Sequence, residues 1–523
     1  MAPAYQLLPD YWANLQIGTQ DLEALQTHLL EVETPLTLQD LMPVLITSRL
    51  NAEQQAREQK GQSAGRTYLP SEHYAAGERL VFPALDWRTG TVLSTRLGVN
   101  PEIGTFDVIT VDLEGGGQRM FAASLAAHSL NEPADPGADL PGGGMDDVIE
   151  EHGPLIQQKL ETALAADPGL VRIAGRWFPR GLLVDINEGH LNLAEAVLDM
   201  AQGEPQLTAA LLKDIELPAG INPKLAEFSL NFALQDDQRF DEVGPAGEVL
   251  WCLRKLEPEG VRQVPRFLQY DRIAHDAAAM DDAMRQLEDQ LDDELSESSH
   301  AISDRQAIKE VTISLIYPHL RAGTLPLSPR TRSLFPTAYE SPRVRFTLVD
   351  ARSGIKMPAW IVREHGYAFG LRDWYKSHQL IPGSLVTVRP GQKAGEVIVE
   401  ARTQRSSKDW IRTLMVGADG GLVFAMLKQP ITAEFNDRMA IHVGDFEALD
   451  PLWETQGSFE NQVVTMMREL MKVNPQGHVH AQELYAALNL IRRVPPAPLL
   501  SLLASQKRFL HVGDLHFRLN ENS

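Results

Sequence analysis

Arginine is the residue type most capable of chemistry in this sequence. Arg330, Arg332, Arg343, Arg345, Arg352, Lys356, Arg363, Arg402, Arg405, Lys408 and Arg412 crowd one stretch, and Arg492, Arg493, Lys507 and Arg508 gather near the C-terminus. A guanidinium offers a planar fork of donors that matches phosphate and the edge of guanine, so these cations form a candidate surface for double-stranded DNA. The charge distribution supports it. The chain of 523 residues carries a net charge of −22, yet residues 311–415 alone sum to +9. Residues 1–150 sum to −13, 151–270 to −7, 271–310 to −8 and 416–523 to −3. A basic island inside an acidic chain is the footprint of a polyanion contact. It is equally the footprint of a domain that docks on acidic segments of its own chain.

Other chemistry is poorly represented. His478 and His480 (GHVH), with His511 and His516, form the one local histidine cluster, and 478–480 reads as the turn before a helix. Gly115 to Gly117 and Gly142 to Gly144 lack the Lys-Ser/Thr of a phosphate loop. No nucleophile elbow, HExxH or kinase signature occurs, and the acidic strand Glu396 to Glu400 is followed by Ala401 rather than a basic partner. The expectation is a protein that is not an enzyme and needs no metal or cofactor. A single cysteine, Cys252, excludes an intramolecular disulfide framework. The first residues show neither a basic start nor an apolar leader, and no apolar run approaches the roughly 20 residues that cross a bilayer. A cytoplasmic protein without a membrane partner is expected, most naturally a bacterial one.

The elements that must position the cations follow from periodicity. Length suggests about three to five domains. Near the C-terminus, Val463, Met466, Met467 and Leu470 share one helical face, 480–488 reads as a second helix, and Pro495 to Pro498 open a third at 497–506. Two short alternating strands about Gly513-Asp514 complete a winged helix, and residues 458–519 sum to +3. The same order recurs at 190–256, with helices at 192–201, 207–214 and 221–234 and then a hairpin. There, Asp237-x-Arg239-Phe240 and Trp251-x-Leu253-Arg254, with Pro258 nearby, resemble the wing of the HARE-type helix-turn-helix found in the delta subunit of bacterial RNA polymerase and in some chromatin and restriction proteins. The resemblance implies a role near DNA or polymerase. This copy sums to −6, so protein contact is the expectation, because an acidic surface repels phosphate.

The basic island alternates like a small barrel: Val344 to Val349, Met357 to Val362, Tyr367 to Leu371, a short helix Arg372 to Gln379, Ser384 to Val388, and Glu396 to Ala401. This order, with Trp374 on the helix and Pro382-Gly383 before the next strand, is similar to the DNA-binding pseudobarrel of plant transcription factors and restriction-enzyme effector domains. Ser384 stands where that family has Asp. The resemblance covers 343–402 and implies that Arg343, Arg345, Arg352, Lys356 and Arg363 lie where the family reads the major groove.

The expected organisation is therefore α+β and multi-domain, with winged-helix modules and small β-barrels. A helical segment plus a barrel occupies 1–130, a Pro/Gly-rich linker 131–147, an acidic winged helix 148–270, an acidic helical linker 271–305, the basic pseudobarrel 306–450 and a winged helix 455–523. The expected function is non-enzymatic DNA binding by the basic barrel and the last winged helix. The acidic N-terminal half would recruit a protein partner, in transcription regulation or DNA defence. The alternatives are a scaffold that binds no DNA and an RNA polymerase accessory factor.

Overall fold

The computed structural model describes residues 11–85, 88–100, 104–131, 145–296, 308–417, 420–454 and 457–520. The architecture is mixed α+β and multi-domain, and one of its sheets curls into a half-barrel. Contacts divide the chain into two units, 1–185 with 218–229, and 186–217 with 230–523.

In the first unit, α1 (Thr19–Val32) buries Leu25 and Leu29, and β1 (Leu36–Thr37) leads into α2 (Leu38–Ala64). Thr37 caps α2: its hydroxyl accepts the Asp40 N–H at 3.2 Å, and the Asp40 carboxylate accepts the Thr37 N–H at 3.0 Å. Five strands then interrupt, β2 (Arg66–Thr67), β3 (Arg79–Phe82), β4 (Arg88–Asn100), β5 (Gly104–Leu113) and β6 (Gly117–Ala123), paired in chain order around Tyr68, Tyr74, Phe82, Ile109 and Val111. After them α3 (Met145–Ala166) precedes the hairpin of β7 (Leu170–Ile173) and β8 (Arg176–Pro179). Ala174 and Gly175 turn it with φ of 48° and 74°, the double positive φ that matches the right-handed twist of a hairpin. Strand β1 pairs with β8 to give the order β1-β8-β7.

This order of elements recurs at residues 188–253 and 459–519, and no local pattern reveals it here, because 80 residues of inserted sheet and connection separate its second and third helices. The helical stretch read as a companion of the N-terminal barrel supplies the first two helices of that module. The expected boundary at 148 falls inside α3, and most of the expected linker, 132–144, lies outside the described residues.

The second unit contains two further stretches with this order of elements. In one, α4 (Glu188–Met200), β9 (Gln206–Leu207), α5 (Thr208–Leu211), α6 (Pro223–Asp236), β10 (Phe240–Glu242) and β11 (Leu250–Leu253) follow the same order, with the sheet β10-β11-β9. The first turns of α6, to Ser229, group with the first unit. Leu191, Leu198, Leu211, Leu230, Leu234 and Trp251 form the core, and the Trp251 indole N–H is satisfied by Asn231 Oδ1 at 2.8 Å. Two short helices, α7 (Glu259–Arg262) and α8 (Asp282–Leu291), come next.

The basic island builds an open seven-stranded sheet. Its strands are β12 (Val311–Ser314), β13 (Thr324–Pro326), β14 (Arg343–Asp350), β15 (Lys356–Val362), β16 (Tyr367–Phe369), β17 (Leu385–Pro390) and β18 (Glu396–Ala401). They run in the order β12-β17-β18-β14-β15-β16-β13, with α9 (Tyr317–Ala322) and α10 (Arg372–Ser377) in the connections. Gly383 is required where β17 begins: its φ is +94°, and a Cβ would meet the Ala440 backbone at 2.5 Å. Residues 403–443 form a separate sheet of β19 (Thr403–Val416), β20 (Leu422–Ala433) and β21 (Ile441–Val443).

The C-terminal module follows α11 (Asp450–Glu454). It comprises α12 (Phe459–Val473), β22 (Val479–His480), α13 (Ala481–Leu488), α14 (Pro496–Ser505), β23 (Phe509–Gly513) and β24 (His516–Leu519), with the sheet β22-β24-β23. The wing turns on Asp514 and Leu515, both at positive φ, one residue later than Gly513-Asp514. In all three modules the first strand pairs with the last. The acidic stretch read as a solvated connector is packed over its described residues: Met280, Met284 and Leu287 join the core of the C-terminal module, and Asp292 and Asp293 are buried. Residues 297–307 lie outside the description.

Candidate functional site

Strand β14 alternates strictly. Val344, Phe346 and Leu348 enter the core of the central sheet, which turns Arg343 and Arg345 onto the other face. That face is not open. Val243, Cys252, Val261, Leu268, Trp360, Val362 and Tyr367 form one apolar cluster that joins the wing of the second module and the α7 region to β15 and β16. The Arg345 N–H donates to the Val243 carbonyl at 2.7 Å, and the Tyr367 hydroxyl donates to the Gly260 carbonyl at 2.9 Å.

The arginines reach acidic side chains of that docked module. The Arg343 guanidinium donates to Asp241, lies 3.6 Å from Glu257 and keeps only 19% of its side chain exposed. Arg345 lies 3.6 Å from Glu204, stacks over Trp360 and is 14% exposed. Ser341 donates to the Glu242 carboxylate. Burial pushes the Glu242 carboxyl up to about 7. Burial and the adjacent Asp241 push Glu257 up to about 8 against the pull of Arg343. A buried ion is tolerated only when paired, and here one guanidinium faces two carboxyl groups, so the second keeps its proton near neutral pH.

Arg493 is the clearest departure from expectation. Its side chain is fully buried and cannot meet a phosphate. It donates to Asp293 at 2.5 Å and to Glu294 at 2.8 Å, and the Tyr485 hydroxyl donates to Asp293 at 2.6 Å. His319 Nε2 lies 3.1 Å from Glu294, and its Nδ1 lies 2.8 Å from the Thr324 hydroxyl. Burial raises the Glu294 carboxyl, but Arg493 and His319 outweigh it and hold the group well below the usual carboxylate range.

The remaining predicted cations scatter. Arg330 and Arg332 are exposed before β14, and the Arg330 N–H donates to Asp292 at 3.4 Å. Arg352 is exposed in the β14–β15 turn. Lys356 pairs with Glu396 at 2.6 Å, and Arg363 donates to the Ser341 carbonyl at 2.8 Å. Arg402 lies 3.9 Å from Glu434, while the Arg405 side chain lies outside the description. Arg492 donates to the Gly457 carbonyl at 3.3 Å, Arg508 lies 3.5 Å from Glu460, and Lys507 is exposed. The structure therefore gathers Arg343 and Arg345 on one face but covers them, and it leaves Arg330, Arg332, Arg352, Arg363 and Lys507 exposed.

Two clefts were not read from sequence. One, of about 350 Å³, lies between the β19–β20 ribbon and the C-terminal module, beside Trp410, which is 62% exposed and faces the Lys428 ammonium at 5.3 Å. Its Arg412 is already paired with Glu483 at 2.6 Å, and its Arg438 guanidinium lies 2.9 Å from His480 Nε2. The other, of about 550 Å³, is lined by Arg321, Arg372, Lys376 and several rings. The four C-terminal histidines meet only in part: the His478 and His480 rings lie 4.6 and 4.9 Å from His516, whereas His511 stacks on Phe517. Among the described residues no group of three or more His, Cys, Asp or Glu could hold a metal ion, and no helix is long and apolar enough to cross a membrane. No protein-family model, no curated protein and no solved structure matches the chain.

Proposed function

We propose that this protein is a non-catalytic interaction scaffold whose basic sheet binds its own acidic second module, leaving an acidic exterior that recruits a basic protein partner. The observation that carries this reading is the cover over β14: Arg343 and Arg345, the residues best placed to read DNA, are held against Asp241, Glu257 and Glu204. With those cations occupied internally, a net charge of −22 favours a basic protein surface over a phosphate backbone. The charge of −6 on residues 190–256 also suits a protein contact.

Duplex binding by the intact chain, followed by fluorescence anisotropy from about 50 to 200 mM salt, tests the proposal. A scaffold gives weak binding with a shallow salt slope. Six or more phosphate contacts would instead cost on the order of 10³-fold in affinity across that range, and this result would overturn the scaffold reading. The second reading, duplex DNA held by the cations that stay exposed, draws on Arg330, Arg332, Arg352 and Arg363. It predicts the steep slope, and its loss when these four are changed to Ala.

A further inference from the structure

The 550 Å³ cleft of the second unit has the composition of a small-molecule site and lies outside the arginine strand. Pockets of this size that are apolar with a few convergent polar groups are the usual shape of such sites. Leu380 and the rings of Phe267, Tyr375 and Phe446 supply apolar wall. Three cations stand around it. Arg321 is held in place by Asp450, at 2.9 and 3.2 Å, and its guanidinium carbon lies 5.0 Å from the Phe267 ring centre and 5.5 Å from that of Phe446. Its Nε is buried without a hydrogen-bond partner.

Arg372 and Lys376 differ from Arg321. They are four residues apart on α10, so their heads lie on the same side of the helix. Both are exposed, and neither forms an ion pair with a described residue. Across the cleft His442 brings a buried Nδ1 that also lacks a partner, and burial lowers its pKa. Two uncommitted cations, aromatic wall and unsatisfied ring and guanidinium nitrogens together call for a ligand with an anionic end and a planar, hydrogen-bonding end. The cleft beside Trp410 lacks this combination, because its cations already have partners.

We propose that this cleft binds a nucleoside phosphate, with Arg372 and Lys376 on the phosphate and the base against Phe267 and Phe446. The proposal is independent of the scaffold reading, since it uses none of the residues under the second module. Calorimetric titration of the full chain with ADP tests it, with adenosine and inorganic phosphate titrated separately. ADP is expected to bind at least tenfold more tightly than either half. The double variant Arg372→Glu/Lys376→Glu is expected to weaken ADP at least tenfold without moving the urea midpoint. Phe446→Ala, which removes a ring from the wall and leaves both cations, is expected to weaken ADP and adenosine together. Absence of ADP binding up to about 5 mM, a Kd that corresponds to about 3 kcal/mol, would overturn the site. So would ADP binding that the charge-reversed variant keeps.

Discussion

Arg343 and Arg493 arise from similar sequence signals, an arginine next to basic neighbours near a short regular element, and both end in ion pairs with the acidic chain. Their surroundings differ. Arg493 lies in a closed network in which Tyr485 and His319 also contact the two carboxyl groups, and nothing in it is exposed beyond 5%. Arg343 is partly open and faces Asp241 and Glu257 with fewer helpers. Both oxygens of Glu257 are buried without a geometrically formed hydrogen bond. Arg493 and His319 hold the Glu294 carboxyl low against its burial, whereas burial and Asp241 raise that of Glu257. What the comparison teaches is that the number of donors per carboxyl, more than burial alone, sets the charge state.

The largest effect is expected where the network is closed. Arg493→Met leaves Asp293 and Glu294 buried without their cation, a loss of about 3–5 kcal/mol in urea unfolding. A loss below about 1 kcal/mol would mean that water reaches the carboxylates. Arg343→Ala is expected to cost less, about 2–3 kcal/mol, because its side chain keeps 19% of its surface in water whereas that of Arg493 keeps none.

Acid and alkali should separate the two regions. Glu257 has a folded value raised to about 8, so its contribution is complete below its unfolded value near 4.5 and is lost as pH rises through about 8, at most at roughly 1.4 kcal/mol per pH unit. Glu294 is shifted the opposite way, so its contribution is present above its unfolded value and is lost as the solution is acidified. Urea midpoints across pH should therefore flatten between about pH 4.5 and 8 in Glu257→Gln and below about pH 4.5 in Glu294→Gln. If both variants flatten the same limb, the contrast between the sites fails.

The smallest effect concerns Cys252, which lies in the cluster between wing and sheet and whose thiol burial pushes up to about 12. Aromatic-disulfide labelling of the folded chain should be slow and limited by opening of the wing, and Arg343→Ala should speed it by about tenfold at constant pH, the equivalent of about 1.4 kcal/mol of docking. An unchanged rate would separate the ion pair from the docking of the wing.

Much of the architecture is legible along the chain. The alternation of Arg343 to Asp350, the apolar face of Val463 to Leu470 and the prolines at 495–498 each specify an element through local geometry alone, and those elements form where the pattern places them. The first module was hidden although it carries the same cue: Pro35-Leu36-Thr37 before α2 parallels Pro205-Gln206-Leu207 before α5, each a short strand feeding a helix. The inserted sheet separated its helices beyond any local pattern.

Local pattern along the chain is enough to place elements such as β14, α12 and α14, to locate the charge, and to show that a basic island interrupts an acidic chain. Only the tertiary structure decided what those charges face. Alternation can say that Arg343 and Arg345 leave the core of their own sheet, but not that another module covers the other side. Nor could it say that an acidic run read as a connector would bury Asp293 under Arg493, 200 residues away. Ion pairing depends on distance in space and on desolvation, and neither is a function of spacing along the chain.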